Sequence, residues 1–293
     1  MSSYYGRPVV KEPVWQPEIP FYFFTGGVAG GASVLHGVAR LAGNERLAKS
    51  SLYVAAAADA VSPALLVSDL GRPERFLNML RVFKVTSPMS VGSWILLVSG
   101  GASNTAAALE LLGKLPRLKA VAEIASFITG PPLATYTGAL LANTAIPVWS
   151  EARDELPWLF GASAAASAGA AAAMVTPTAL AGPARRAAIG AVAVELGLMK
   201  GMERRLGFVG EVYEQGEAGR YGKISKLCAA AGAGLLAAGG RRSRAIAVTG
   251  SAFILAGGLA LRWSVFKAGF QSARDPRYTV LPQKERLRQR SSR

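Results

Sequence analysis

Long stretches with few charged residues constrain this chain more than any other feature of its sequence. Asp, Glu, Lys and Arg make up 17% of the 293 residues, whereas hydrophobic residues make up 51%. Soluble domains usually contain about 25% charged residues. The charge is also concentrated in short clusters, and the windows between them approach the roughly 20 apolar residues that a helix needs to cross a bilayer. The sequence therefore predicts a polytopic membrane protein.

Eight such windows predict an all-α protein with about eight transmembrane helices. A proline-rich arm, residues 1–18, precedes the first window, and a polar, basic tail, residues 271–293, follows the last. We expect the tail to be a surface segment or partly disordered. The windows are 19–39, 50–68, 85–109, 124–150, 156–184, 187–202, 222–240 and 245–266.

An even number of spans places both termini on one side of the membrane, here called the terminal face, opposite the far face. The net charge is +15, and we expect the basic residues to serve membrane topology and contacts with membrane lipids. Nucleic acid is not an expected partner. Because cytoplasmic segments are rich in Lys and Arg, the basic tail predicts that the terminal face is cytoplasmic.

The chain contains one cysteine, Cys228, and one histidine, His36. A structural zinc site usually needs four Cys or His ligands, and an iron–sulfur cluster needs four ligands of these types. A haem held by two histidines is excluded as well. We therefore expect no metal centre in this chain, so that any redox metal belongs to a partner subunit.

Four ionisable residues fall inside the predicted spans, where each costs about 2.5 to 3.5 kcal/mol or more. Asp59 and His36 are candidates for proton transfer, with hydrogen bonding within the helix packing as the alternative for each. Glu195 either relays protons or pairs with Arg262. Arg262 needs a carboxylate or a ligand oxygen, unless its side chain extends to the lipid headgroups.

Small residues in the first window form two interleaved GxxxG pairs, made by Gly26, Gly27, Gly30 and Gly31. This spacing favours close approach of helices in a membrane. A phosphate-binding loop is the competing interpretation, but no strand precedes the glycines and no GKS/T sequence follows them. In the fourth window, we expect Pro131 and Pro132 to kink the helix.

Four stretches of the chain resemble the NrfD/polysulfide-reductase membrane-subunit family. The most specific are DLGRPERFLNMLRVFKVTSPMSVGSW, Asp69 to Trp94, and TYTGALLANTAIPVW, Thr135 to Trp149. FYFFTGGVAGGA, Phe21 to Ala32, resembles the first span of that family, and GGLALRWSVFKAG, Gly257 to Gly269, resembles its last span.

The resemblance implies a haem-free membrane subunit of a bacterial oxidoreductase in the plasma membrane. Its fold would be two four-helix bundles, here residues 19–150 and 151–270. Such a subunit binds quinone or menaquinone and is not catalytic alone. Its implied partners are a ferredoxin-like iron–sulfur subunit with four clusters and a molybdopterin or tungstopterin catalytic subunit, whose substrate and direction of electron flow stay open.

The resemblance also assigns the candidate site. Tyr136 matches the tyrosine that hydrogen-bonds quinone in the family, with a role in the interfacial aromatic belt as the alternative. The parity of the spans directs Asp69, Arg72, Trp149 and Arg262 towards the terminal face with it, although parity alone does not decide whether they share one pocket. Deeper in the membrane, Asp59, Glu195 and His36 form a candidate proton ladder.

Two other functions remain open. A proton-coupled secondary transporter would also bury ionisable residues, but it commonly shows an internal repeat, and none is convincing here. A passive membrane anchor would have structural polar residues and no quinone site.

Overall fold

The computed structural model describes residues 8–70 and 72–291, and this part of the chain is helical without strands. Two short 3-10 helices, Pro73–Arg75 and Gly207–Tyr213, lie in connections. The helices are α1 (Glu18–Leu41), α2 (Glu45–Asp69), α3 (Phe76–Met79), α4 (Pro88–Leu112), α5 (Pro116–Ala142), α6 (Pro147–Glu151), α7 (Leu156–Val175), α8 (Gly182–Leu206), α9 (Gly216–Ala238), α10 (Arg244–Arg274) and α11 (Arg277–Ser291).

Local side chains define several helix ends. The side chain of Asn44 accepts a hydrogen bond from the third residue of α2, while Ser87 and Ser243 cap α4 and α10 in the same way. Such caps satisfy backbone N–H groups that lack a partner within the helix. Gly113 ends α4 with a φ of 63°, a left-handed conformation that glycine adopts without strain.

The described chain contains eight helices of at least 20 residues, which correspond in order to the eight predicted windows. Four of the described helices, α2, α4, α7 and α10, are long and apolar enough to cross a membrane by themselves. The prediction of an all-α polytopic membrane protein is therefore confirmed. That all eight long helices are spans stays a prediction.

Three predicted boundaries differ from the structure. The window 124–150 is not one helix, because α5 ends at Ala142 and α6 begins at Pro147. The window 156–184 is also too long: α7 ends at Val175, shortly before Pro177, which disfavours helix in the residue that precedes it. The described part of the tail is helical, since α10 continues to Arg274 and α11 follows.

Packing divides the long helices into two groups that meet at α1 and α7. Helices α1, α2, α4 and α5 pack among themselves, as do α7, α8, α9 and α10. Helix α1 also contacts α7 and α10, and α7 contacts α5 and α2. Helix α1 is thus an inner helix with partners from both groups.

Glycines bring α1 close to its neighbours. A Cβ atom at Gly30 would lie 2.5 Å from the carbonyl oxygen of Gly130 in α5, and one at Gly31 would lie 2.7 Å from the carbonyl oxygen of Ala164 in α7. The predicted packing role of the GxxxG pairs is confirmed for these two glycines. Pro131 and Pro132 do not end α5, which runs through both to Ala142.

We predict that Gly30→Ala destabilises the protein by roughly 1 to 3 kcal/mol, because the added methyl group overpacks a backbone-to-backbone contact. Gly101→Ala in α4 is the matched control, since a Cβ there meets nothing within 4 Å. Thermal unfolding of the purified protein in detergent measures both. Equal melting temperatures for Gly30→Ala and the wild type would contradict the proposed packing role.

Candidate functional site

A narrow cavity opens at the terminal face, where α1 and α4 begin and α2 and α5 end. Its volume is about 60 Å³. Most of its wall is apolar and aromatic, with few polar groups, as in sites that bind organic cofactors. The lining residues are Trp15, Ile19, Tyr22, Phe23, Leu66, Asp69, Leu70, Met79, Met89, Ser93, Tyr136 and Leu140.

Tyr136 and Asp69 supply polar atoms to this cavity. The ring of Tyr136 lies directly against the α4 backbone, because Gly92 has no side chain; a Cβ there would lie 2.2 Å from Cε2 of Tyr136. The Tyr136 hydroxyl has no hydrogen-bond partner among the described residues. Oδ1 of Asp69 accepts a hydrogen bond of 2.8 Å from the backbone N–H of Gln16, which leaves its other carboxylate oxygen available.

The arm before α1 covers one side of the cavity. Trp15 lines the cavity and stacks on Trp149, with ring centroids 5.5 Å apart. Glu12 forms an ion pair of 3.0 Å with Arg274 at the end of α10. The arm therefore connects the end of α2, through Asp69, with elements of the second helix group.

Three of the five residues predicted for the quinone site, Arg72, Trp149 and Arg262, do not line the cavity. Trp149 is completely buried, and its indole N–H donates a hydrogen bond of 2.7 Å to the carbonyl of Val265. Trp149 stacks on Trp15 of the cavity wall. Arg72 is exposed on the connection after α2, and the neighbouring Gly71 lies outside the described residues.

Arg262 lies inside the protein, at the contact between the two helix groups. The residue is 1% exposed, so extension of its side chain to the lipid headgroups is excluded. Nη2 donates a hydrogen bond of 3.0 Å to the carbonyl of Phe160 in α7, and Nε donates one of 3.4 Å to the carbonyl of Phe23 in α1. The guanidinium carbon also lies 3.9 Å from the centre of the Phe160 ring.

Glu195 is the carboxylate that balances this arginine. It is 3% exposed and lies within electrostatic range of Arg262 and close to Ser163. The two charged groups do not form a direct ion pair of 4 Å or less. Because both side chains are buried, their interaction is screened less than that of a pair at the surface.

Asp59 occupies a separate polar cluster between α2 and α4. Its Oδ2 accepts hydrogen bonds of 2.6 Å from Ser103 and 3.4 Å from Ser99, and it lies within electrostatic range of Tyr22. Tyr22 is also part of the cavity wall. The buried carboxyl is thus within electrostatic range of one residue of the cavity wall.

His36 lies near the far face with a carboxylate partner that the sequence interpretation missed. Its Nδ1 lies 2.9 Å from the carbonyl of Ala48. A carbonyl oxygen only accepts hydrogen bonds, so Nδ1 carries the hydrogen. Nε2 faces Glu123 at 3.5 Å. The fourth predicted window began at Ile124, one residue after this glutamate.

Charged groups connect this pair to the surface of the far face. Arg40 and Lys119 lie 3.7 and 3.8 Å from Glu123, and Lys119 also pairs with Glu110 at 2.5 Å. Deeper in the first helix group, Ser126 donates a buried hydrogen bond of 2.8 Å to Ser33.

Polar side chains therefore occur at three depths of the first helix group. They are the pair His36 and Glu123, the cluster of Asp59, and Tyr136 with Asp69 in the cavity. Glu195 belongs to a different cluster beside Arg262, so the structure does not bring it together with Asp59 or His36.

A second, apolar groove lies between α1, α5, α7 and α8. Its volume is about 540 Å³, and Gly31, Thr135, Trp158 and Gly161 are among its lining residues. None of its lining residues is ionisable, so this groove offers no group for proton transfer. Among the described residues there is also no group of three or more His, Cys, Asp or Glu side chains that could hold a metal ion.

Comparison with known families gives one result that covers most of the chain. Residues 8–209 match the family described as "Polysulphide reductase, NrfD". This range includes the described part of the arm, the cavity, the polar groups at all three depths of the first helix group and Glu195, but not Arg262. No curated protein matches the chain.

Proposed function

Because this chain belongs to the NrfD family of polysulphide reductase membrane subunits, we propose that it exchanges electrons between a partner iron–sulfur subunit and the membrane quinone pool. It would be the quinone-reactive, haem-free subunit of an oxidoreductase complex and would not be catalytic alone.

The observation that carries this proposal is the cavity at the terminal face. A quinone needs an apolar site with polar groups for its carbonyl oxygens. The Tyr136 hydroxyl has no protein partner among the described residues and is available to donate a hydrogen bond to such an oxygen. The free carboxylate oxygen of Asp69, on the same wall, would accept a hydrogen bond from the hydroxyl of a quinol.

The cavity must widen to admit a head group, because its volume of about 60 Å³ is far below the roughly 300 to 1,000 Å³ of typical ligand pockets. Met79 and Met89 form part of the wall, and methionine side chains adapt readily to the shape of a ligand. We propose that these side chains and Trp15 move when quinone or menaquinone binds.

The electrons must enter from outside this chain, since one cysteine and one histidine are too few for a cluster. The cavity lies at the terminal face, so an electron donor or acceptor has the shortest path from that side. We therefore propose that a ferredoxin-like iron–sulfur subunit with four clusters docks there. A molybdopterin or tungstopterin subunit would in turn bind to that partner.

Protons reach the cavity through the first helix group in this proposal. Conversion of a quinone into a quinol takes two electrons and two protons. His36 and Glu123 would take up protons near the far face, and Asp59 would pass them towards Tyr22. Buried water is needed between these groups, because Ala48, beside His36, and Asp59 are about 16 Å apart along α2 at 1.5 Å per residue.

The structure favours different roles for the remaining predicted residues. Glu195 would balance the charge of Arg262 rather than carry protons to the cavity. Arg262 would fix α1 against α7 and α10, and Trp149 would support Trp15. Arg72, exposed beside the cavity, would contact the partner subunit. In a passive anchor, none of these groups would interact with quinone. A transporter would not require an electron-donating partner subunit.

The location that fits this function is the plasma membrane of a bacterium, with both termini in the cytoplasm. The basic residues of α11 support this orientation. A reporter fused after Arg293 distinguishes a cytoplasmic from an external terminal face.

We predict that Tyr136→Phe lowers quinone-linked turnover of the purified complex roughly tenfold, because the substituted ring cannot hydrogen-bond the quinone oxygen. Tyr53→Phe is the matched control, since Tyr53 lies on α2 away from the cavity. Reduction of a soluble dye by the partner subunits should stay unchanged in both variants. Wild-type quinone turnover in Tyr136→Phe would favour the passive anchor.

We predict that Asp59→Asn slows proton uptake coupled to quinone reduction without preventing quinone binding, since an amide cannot release a proton at neutral pH. The complex in sealed vesicles with an external pH indicator provides the measurement. Asp275→Asn, in the turn between α10 and α11, is the control. Unchanged turnover and unchanged proton uptake in Asp59→Asn would remove this residue from the pathway.

A further inference from the structure

Five arginines gather at the far face of the second helix group. They are Arg185 and Arg186 at the start of α8, and Arg241, Arg242 and Arg244 around the start of α10. We call them the arginine patch. The surrounding sequence offers no compensating charge, because Asp and Glu are absent from residues 156–194 and 218–274.

Two members of the patch are fixed by backbone carbonyls. Nη1 of Arg185 donates a hydrogen bond of 2.7 Å to the carbonyl of Thr178, and Nη1 of Arg244 donates one of 2.8 Å to the carbonyl of Thr176. Arg185 is only 6% exposed. Arg244 thereby holds the connection between α7 and α8 against the start of α10, and Arg185 fixes the same connection to the start of α8.

The other three members are exposed and form no ion pair with any described carboxylate. Arg186 and Arg241 both lie within electrostatic range of Arg185, so like charges are concentrated in a small area. Such a concentration is unfavourable without a counter-ion. At the terminal face of the same helix group, by contrast, some basic side chains have acidic partners, such as Arg205 with Glu155 and Lys267 with Glu217.

The start of α8 adds partial positive charge to the same surface. This helix of 25 residues begins after Ala181, which supplies no side-chain cap. Pro183, the second residue of α8, has no N–H group, and Ala184 is buried. This end therefore contributes the positive end of the helix dipole, which attracts anions such as phosphate, rather than a row of free N–H groups. The backbone and the arginine side chains favour the same type of ligand.

The position of the patch favours a lipid over a soluble anion. It lies at the ends of α7 and α10, two of the helices that can cross a membrane by themselves. Val175 and Leu180, in the adjacent connection, are 51% and 45% exposed, as expected for side chains that contact acyl chains. Basic pockets between membrane helices commonly bind phospholipid headgroups.

We propose that the arginine patch binds the phosphate of an anionic phospholipid at the far face. Arg186, Arg241 and Arg242 would contact the headgroup, while Arg185 and Arg244 keep the surface in place. A bound lipid would hold the ends of α7, α8 and α10 together, on the side opposite the cavity.

The test is native mass spectrometry of the full chain released from nanodiscs that contain phosphatidylglycerol, phosphatidylcholine or both. We expect retention of phosphatidylglycerol by the wild type. The triple variant Arg186→Gln, Arg241→Gln, Arg242→Gln should bind it on the order of a hundredfold more weakly, at about fivefold for each arginine. Arg185 and Arg244 stay in place because they bond to the backbone.

The matched control removes three exposed cations from the far face of the first helix group: Arg46→Gln, Lys114→Gln, Arg117→Gln. It should retain phosphatidylglycerol like the wild type. If the triple variant does not fold, the single variants Arg186→Gln and Arg242→Gln should each show the fivefold loss. Equal lipid retention by the patch variants and the control, or displacement of the lipid by millimolar inorganic phosphate, would overturn the proposal.

Discussion

The close approach of α1 to α5 and α7 is the contact on which the other features depend. Gly30 and Gly31 lack the side chains that would separate these backbones, and small residues are the usual means of tight packing in a membrane. Through this contact, one helix carries Tyr22 and Phe23 into the wall of the cavity and places His36 at the far face. Both ends of the proposed reaction path are therefore fixed by a single inner helix.

The buried charge of Arg262 supports the same arrangement from the other helix group. Removing an arginine from water is costly unless it finds polar partners, and Arg262 finds them in the carbonyls of Phe23 and Phe160. Glu195 supplies the nearby negative charge. Phe23 is a residue of the cavity wall. Arg262 therefore helps to position this wall, although neither Arg262 nor Glu195 lines the cavity.

Charge-poor windows predicted the helices, because the length of a span depends on local composition. The parity of the spans predicted that Asp69 and Tyr136 lie at the same end of the helix bundle. Neither the windows nor the parity predicted that Trp149 packs in the core, since the direction of a side chain depends on neighbouring helices. Glu123 was missed because it lies just outside an apolar window. Trp15 was not predicted to line the cavity, because the arm has no helical periodicity from which its packing position could be inferred. The arginine patch could not be predicted from the sequence, because its members lie at two connections that are distant in sequence and meet only in the folded chain.

The most direct test of the central claim is photo-crosslinking of an azido-quinone to the complex in membranes, followed by peptide mapping. The account predicts labelling of peptides that contain Met79, Met89 or Tyr136, and its suppression by excess unlabelled quinone. Labelling confined to the groove near Trp158 and Gly161, or no labelling that excess quinone suppresses, would contradict the assignment of the cavity as the quinone site.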